Sequence, residues 1–104
     1  MARYDVYNNP DKAERALVPY FLDVQNDYLK SLHSRVVVPL WEANALKVAL
    51  ENINPVLSVN GHSVVMDTPA LGSVPSSALT ISVANVCGQQ LAIQDALDAL
   101  FGAY

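Results

Sequence analysis

Along most of this chain, apolar and polar residues alternate. The spacing turns helical briefly in the middle of the chain and at length only near its end. In Ala2–Tyr7, Tyr4 and Val6 fall on one face, with Asp5 and Tyr7 on the other, a weak period of two that predicts a strand. Asn8-Asn9-Pro10-Asp11 predicts a turn, and the polar stretch Lys12–Arg15 predicts a mobile loop. Pro19–Gln25 reads as a second strand, with Leu22 and Val24 on one face and Phe21, Asp23 and Gln25 on the other. Asn26-Asp27 then marks a turn. Arg35–Leu40 holds three consecutive valines, a β-branched run suited to a strand buried on both faces. Pro39 predicts an end or a sheet edge there, because proline has no N–H for a ladder. Trp41–Leu50 places Trp41, Ala45, Val48 and Ala49 at helical spacing and predicts a short helix or turn.

Pro55–Val59 and His62–Met66 flank Asn60-Gly61. That dipeptide between two β-prone runs predicts a hairpin, since both turn residues must take positive φ. Thr68–Gly72 reads as a loop, and Val74 and Leu79–Val83 as one further strand or two short ones. Then Ile93, Ala96, Leu97, Leu100, Phe101 and Tyr104 recur on one face of an α-helix. Gln90, Gln94, Asp95 and Asp98 mostly fill the other face. The helix is predicted from about Gly88-Gln89 to Gly102, which suits the left-handed C-terminal position. Strands followed by one helix predict a mainly β fold: an antiparallel sheet or small barrel with a helix packed on it.

Composition narrows the function classes. The chain has 104 residues, 52% hydrophobic and 15% charged, a balance that argues against disorder and predicts one domain over 1–104. The net charge of −4 weakens a nucleic-acid reading, because phosphate binding leans on clustered Lys and Arg. No apolar run approaches the roughly 18 residues of a membrane span. The N-terminus shows no basic segment followed by an apolar one, so no signal peptide is expected. A single cysteine, Cys87, forms no internal disulfide, and a reducing cytoplasm is the expected compartment.

Motifs for catalysis are nearly absent. There is no P-loop, GxGxxG or GxSxG pattern, so no catalytic residue and no cofactor is expected. His33, His62 and Cys87 lack metal-site spacing, so no metal is expected. Both histidines read as surface residues. Cys87 reads as a packing residue, since free cysteine is among the most buried types. Asp23 and Asp27 share a strand face but read as a solvated acidic edge rather than a catalytic pair, which would need an apolar pocket to split the two pKa values. Tyr4, Tyr7, Tyr20, Phe21 and Tyr28 crowd the first 28 residues and suit either core or interface. The tail Leu100-Phe101-Gly102-Ala103-Tyr104 holds two aromatics, which predicts either core closure or docking on another chain.

Three ordered segments resemble one family. Pro19-Tyr20-Phe21-Leu22-Asp23-Val24-Gln25-Asn26-Asp27 resembles its aromatic-aliphatic-Asp-Val-Gln-Ser-Asp pattern. Arg35-Val36-Val37-Val38-Pro39-Leu40 resembles its Arg-x-Val-Ile-Pro-Leu, and Ser73-Val74-Pro75 its Ser-Val-Pro. The family is the CcdB toxins, the gyrase-poisoning half of a type II toxin–antitoxin pair. The resemblance implies the small SH3-like barrel shared by CcdB and MazF, closed by a C-terminal helix. It implies a cytoplasmic homodimer that is not an enzyme and that traps gyrase on cleaved DNA through the gyrase A subunit. It also implies neutralisation by a CcdA-like antitoxin, and transcriptional autoregulation in which operator DNA is met only through the antitoxin complex.

By resemblance, the gyrase-binding residues are Asn26, Tyr28, Leu29, Phe101, Gly102, Ala103 and Tyr104. The antitoxin-binding residues are Tyr7, Asp23, Gln25 and Asp27. The best-known member ends in Trp-Gly-Ile, where this sequence has Gly102, Ala103 and Tyr104, and the only tryptophan here is Trp41. Two alternatives stand beside the gyrase poison. One is a non-poisoning homologue that keeps dimerisation and antitoxin binding. The other is a MazF-like endoribonuclease, for which only Arg3, Lys12, Arg15, Lys30, Arg35 and Lys47 could supply an RNA groove.

Overall fold

The computed structural model describes residues 1–29, 32–46, 50 and 52–102. Among these residues run seven strands and a C-terminal helix. The strands are β1 (Asp5–Asn8), β2 (Tyr20–Asp23), β3 (Ser34–Glu42), β4 (Val56–Val59), β5 (His62–Met66), β6 (Gly72–Pro75) and β7 (Ser82–Asn85). The helix is α1 (Gln90–Phe101). All pairings are antiparallel, in the order β4-β5-β3-β2-β1-β7, with β6 also paired to β3. The sheet curls around a core that the helix covers, as the strand-then-helix order predicts.

The β4–β5 hairpin forms where Asn60-Gly61 predicts it. Asn60 and Gly61 have φ of +52° and +81°, and Val59 pairs with His62 across them. The turn therefore fixes a register that sends Leu57, Val59 and Val64 into the core.

Pro39 is neither at an end nor at an outer edge. It lies inside β3, the strand with the most neighbours. One edge of β3 pairs with β2, and the other pairs with β6 over Ser34–Val37 and with β5 over Leu40–Glu42. Pro39 falls in the gap between β6 and β5. Val24 N–H donates to Val36 O. By antiparallel alternation, the Phe21–Pro39 pair is then a non-bonded one. The missing N–H thus points into the seam between two partners, where no ladder bond is lost. The Pro39 carbonyl still accepts Asp67 N–H at 3.0 Å.

Successive residues of the central strands serve two clusters. Val6, Leu22, Val38 and Leu40 join Val64, Met66, Ile93 and Ala96 in the main core. Tyr7, Val37 and Leu79, with Phe21 and Val74, form a second cluster on the opposite face. Burying each such aliphatic side chain stabilises the fold by about 1.5–3 kcal/mol. The three-valine run is needed because β3 is covered on both faces.

The helix follows a 3-10 turn at Cys87–Gln89 and ends at Gly102, whose φ of +76° is the left-handed cap. Its packed face stops short of the sequence stripe. Ile93, Ala96 and Leu97 are buried, Leu100 is half-buried, and Phe101 is 70% exposed. Side chains bridge the two ends of the strand order. Gln89 Nε2 donates to Ser58 O at 2.8 Å, and Ser58 N–H donates to Gln89 Oε1 at 2.9 Å. Asn60 Nδ2 donates to Val83 O at 3.1 Å.

Other expectations change. Ala2–Tyr4 is a turn, and β1 starts at Asp5, because Tyr4 takes φ +73° to put its ring in the core. The Lys12–Arg15 stretch is tied rather than loose. Arg15 Nε donates to Asn9 O at 2.6 Å, and Val18 N–H to Glu14 O at 2.8 Å. Trp41 and Glu42 belong to β3, so Trp41–Leu50 is not a helix among the described residues; Val48 and Ala49 lie outside them. Thr68–Ala70 forms a 3-10 turn and Gly72 opens β6. The last strand forms at Ser82–Asn85, later than Leu79–Val83, because Leu79 turns inward beneath Tyr7 and Val37.

Candidate functional site

The segment leaving β2 is held at nearly every residue. Asp23 is fully buried, which corrects the expectation of a solvated acidic edge. The reason is Arg35, which opens the valine run of β3 and is itself 1% exposed. A buried guanidinium needs a carboxylate partner. Asp23 Oδ2 accepts Arg35 Nε–H at 2.7 Å, and Asp23 Oδ1 accepts Gln25 N–H at 2.9 Å. Both Nη atoms of Arg35 are buried without a hydrogen-bond partner, and Nη2 lies 3.8 Å from Asp27 Oδ1.

Gln25 is buried as well, and its side chain spans the loop. Its Oε1 accepts Val36 N–H at 3.0 Å, and its Nε2 donates to Leu29 O at 3.0 Å. Asp27 is exposed, and its Oδ1 accepts Arg3 N–H at 2.8 Å. Tyr28 N–H donates to Asn26 Oδ1 at 3.0 Å, a local turn within a 3-10 helix at Asp27–Leu29. Tyr28 itself is 93% exposed and Leu29 is 48% exposed.

The loop and the helix end meet. A groove of about 360 Å³ is lined by Arg3, Gln25, Asn26, Leu29, Leu97 and Phe101, among others. The structure thus gathers Asn26, Leu29 and Phe101, from the two sequence-distant parts of the predicted site, around one hollow. Tyr28 stands on the loop that forms one wall. Gly102 caps the helix beside Phe101, and Ala103 and Tyr104 lie outside the described residues. A larger hollow of about 630 Å³ lies at the opposite end of the helix, by Val56, Cys87 and Leu91, away from every predicted site residue.

Tyr7 is 3% exposed, in the second cluster. Its hydroxyl lies 3.4 Å from Asp5 Oδ2. Burial, followed by the charges of Asp5 and Asp23, pushes its phenol up to about 12. Of the four residues predicted for the antitoxin, Asp27 alone is exposed; Tyr7, Asp23 and Gln25 are closed in by the fold. From sequence, Arg3 and Arg35 enter only as members of an RNA groove under the endoribonuclease alternative, and not as supports of this loop. The one available signal was an arginine opening an apolar run, which demands a buried carboxylate, but the β2–β3 register that selects Asp23 is a tertiary fact.

The remaining candidates settle as follows. His33 is exposed as expected. His62 is half-buried rather than solvated, since its Nε2 pairs with Glu42 Oε2 at 2.8 Å and its ring lies edge-on to Tyr20. Cys87 is exposed, not packed. Val86 is the residue that turns inward, while Cys87 N–H donates to Asn85 Oδ1 and starts the 3-10 turn on the surface. Among the described residues, no three His, Cys, Asp or Glu side chains gather around a point that could hold a metal ion. No helix there is long and apolar enough to cross a membrane. What the site offers is a fixed, partly apolar surface with one nearly free aromatic ring, a geometry suited to recognising a protein.

A sequence model for the CcdB protein matches residues 3–102. The chain belongs to the CcdB family, a family of gyrase-poisoning toxins from toxin–antitoxin pairs.

Proposed function

We propose that this chain is the toxin of a type II toxin–antitoxin module that binds the DNA gyrase A subunit and traps gyrase on cleaved DNA. The observation that carries the reading is family membership over residues 3–102. The chain acts by binding, without catalysing a reaction itself. It works in the cytoplasm as a homodimer, is neutralised by a CcdA-like antitoxin, and reaches operator DNA only within the antitoxin complex.

The surface chemistry supports a protein target. A net charge of −4 gives no electrostatic grip on a DNA backbone. Exposed aromatic rings, by contrast, are common binding hot spots. Tyr28 and Phe101 supply two such rings, beside Asn26 and Leu29. Gly102, Ala103 and Tyr104 complete the gyrase-binding set that the family resemblance implies. Asp27 offers the antitoxin an exposed carboxylate, which would set specificity and on-rate more than affinity. Tyr7, Asp23 and Gln25 act on the antitoxin through the surface they support.

A gyrase cleavage assay with ATP, both purified subunits and this protein tests the reading, beside a chain truncated after Leu100. Linear DNA should accumulate with the full chain and disappear with the truncation. The tail Phe101-Gly102-Ala103-Tyr104, which lacks the tryptophan of the best-known member, supports a second reading: a homologue that binds antitoxin without poisoning. Absence of linear DNA from a folded protein that binds a CcdA-like peptide would select it.

A further inference from the structure

We infer that Gln25 is a positioning residue, which holds the loop bearing Tyr28 in its binding geometry before any partner arrives. This rests on the proposed gyrase reading for the identity of the partner, but the loop's order is a property of the chain alone.

Tyr28 is 93% exposed, so nothing in the fold holds its ring. A tyrosine on a slack loop would lose conformational freedom on binding, and that loss weakens affinity. Here the backbone beneath the ring is fixed from three sides. Asp27 Oδ1 accepts Arg3 N–H, Asn26 Oδ1 accepts Tyr28 N–H, and Gln25 clamps the span. The Gln25 clamp has the longest reach. Its amide joins Leu29 O, at the far end of the loop, to Val36 N–H on β3. That joint lies just beyond the last β2–β3 pairing, Asp23 with Val37; there Val24 N–H still donates to Val36 O, and the Gln25 side chain takes Val36 N–H, so it completes the ladder where the backbone leaves it.

The clamp has its own foundation. Gln25 N–H is held by Asp23 Oδ1, and Asp23 is held by Arg35. A glutamine is suited to this place because both of its neighbours are backbone groups of opposite polarity. Its amide carries one acceptor and two donors without adding a charge beside the buried Asp23 and Arg35. Leucine or methionine would fill the space and satisfy neither group.

The test compares the full chain with Gln25→Met and Gln25→Glu. Two readouts are taken: 15N relaxation of the Asn26–Leu29 amides, and binding kinetics to purified gyrase A subunit. Gln25→Met should loosen those amides and Val36 N–H, leave the other β-sheet amides unchanged, and weaken gyrase A binding about tenfold, as expected when only a fraction of the loop is competent. Most of the loss should fall on the association rate. Gln25→Glu keeps the acceptor for Val36 N–H and loses the donor to Leu29 O, so it should fall between the two. It carries the comparison if Gln25→Met does not fold. Loop amides as ordered as in the parent, or a loosened loop with unchanged gyrase affinity, would overturn the inference. A parent chain that binds no gyrase A would overturn the functional reading and the recognition role together, and the relaxation data would show which part of the scaffold claim survives.

Discussion

Arg35 Nε lies 2.7 Å from Asp23 Oδ2, and neither side chain is more than 1% exposed. This pair joins β3 to the end of β2 on the face opposite the main core, directly under the loop that carries Tyr28. Its two groups are the most deeply buried charges in the described residues, and they depend on each other.

Asp23→Ala therefore leaves an uncompensated guanidinium in the interior. The expected loss is about 3–5 kcal/mol of folding free energy, measured by urea denaturation. The double variant Asp23→Leu with Arg35→Met removes both charges and should cost clearly less than Asp23→Ala alone. A single-variant loss within about 1 kcal/mol would show that the buried pair is not coupled as the geometry requires.

Alkaline pH should act through Tyr7. Its phenol is raised from 10.0 to about 12 by burial and by Asp5 and Asp23, so the folded state favours the neutral form. That contribution is complete below pH 10 and is lost as pH rises from about 10 through 12. The total loss is about 2–3 kcal/mol from this group. Urea titrations across that window should show the fall, and Tyr7→Phe should remove this component. Parallel pH profiles for the two proteins would contradict it.

Gln89 stands in for a strand beside β4. Gln89→Ala leaves both Ser58 backbone groups without their protein partner, and should destabilise the chain by about 1–2 kcal/mol. Hydrogen exchange at the Ser58 amide should speed in step. Gln89→Glu keeps the acceptor for Ser58 N–H but sets a carboxylate against Ser58 O, so its exchange rate should lie between those of the parent and Gln89→Ala.

Cys87 should react in the folded state. A thiol reagent should label the native chain about as fast as it labels a short unstructured peptide, because the side chain is exposed. Labelling that appears only with denaturant would place the thiol in the interior.

The lesson from sequence is uneven along the chain, and the unevenness has physical causes. The Asn60-Gly61 turn and the helix from Gln90 were legible because each depends on residues a few positions apart. Positive φ at two neighbours and a 3.6-residue spacing need no knowledge of the rest of the fold. The two faces of Asp5–Tyr7 and Tyr20–Asp23, within the longer predicted stretches, were legible for the same reason, since strand alternation is local. The family resemblance, carried by three short segments, marks Asn26, Leu29 and Phe101 as site residues, and the fold brings these three around one groove.

Tertiary structure decided what those local patterns left open. Pro39 looked like a strand end because proline lacks an N–H. Only the change of partner from β6 to β5 along β3 turns that defect into a position without cost. Asp23 looked solvated because carboxylates usually are, and only the β2–β3 register brings Arg35 against it. Cys87 looked buried by its residue type, yet the chain turns Val86 inward in its place. The meeting of Leu29 and Phe101 at one groove belongs to the same class. Sequence determines which way each short segment points, because that rests on neighbouring dihedrals. Which distant side chains share a site rests on strand pairing and packing, and these are set by the whole chain at once.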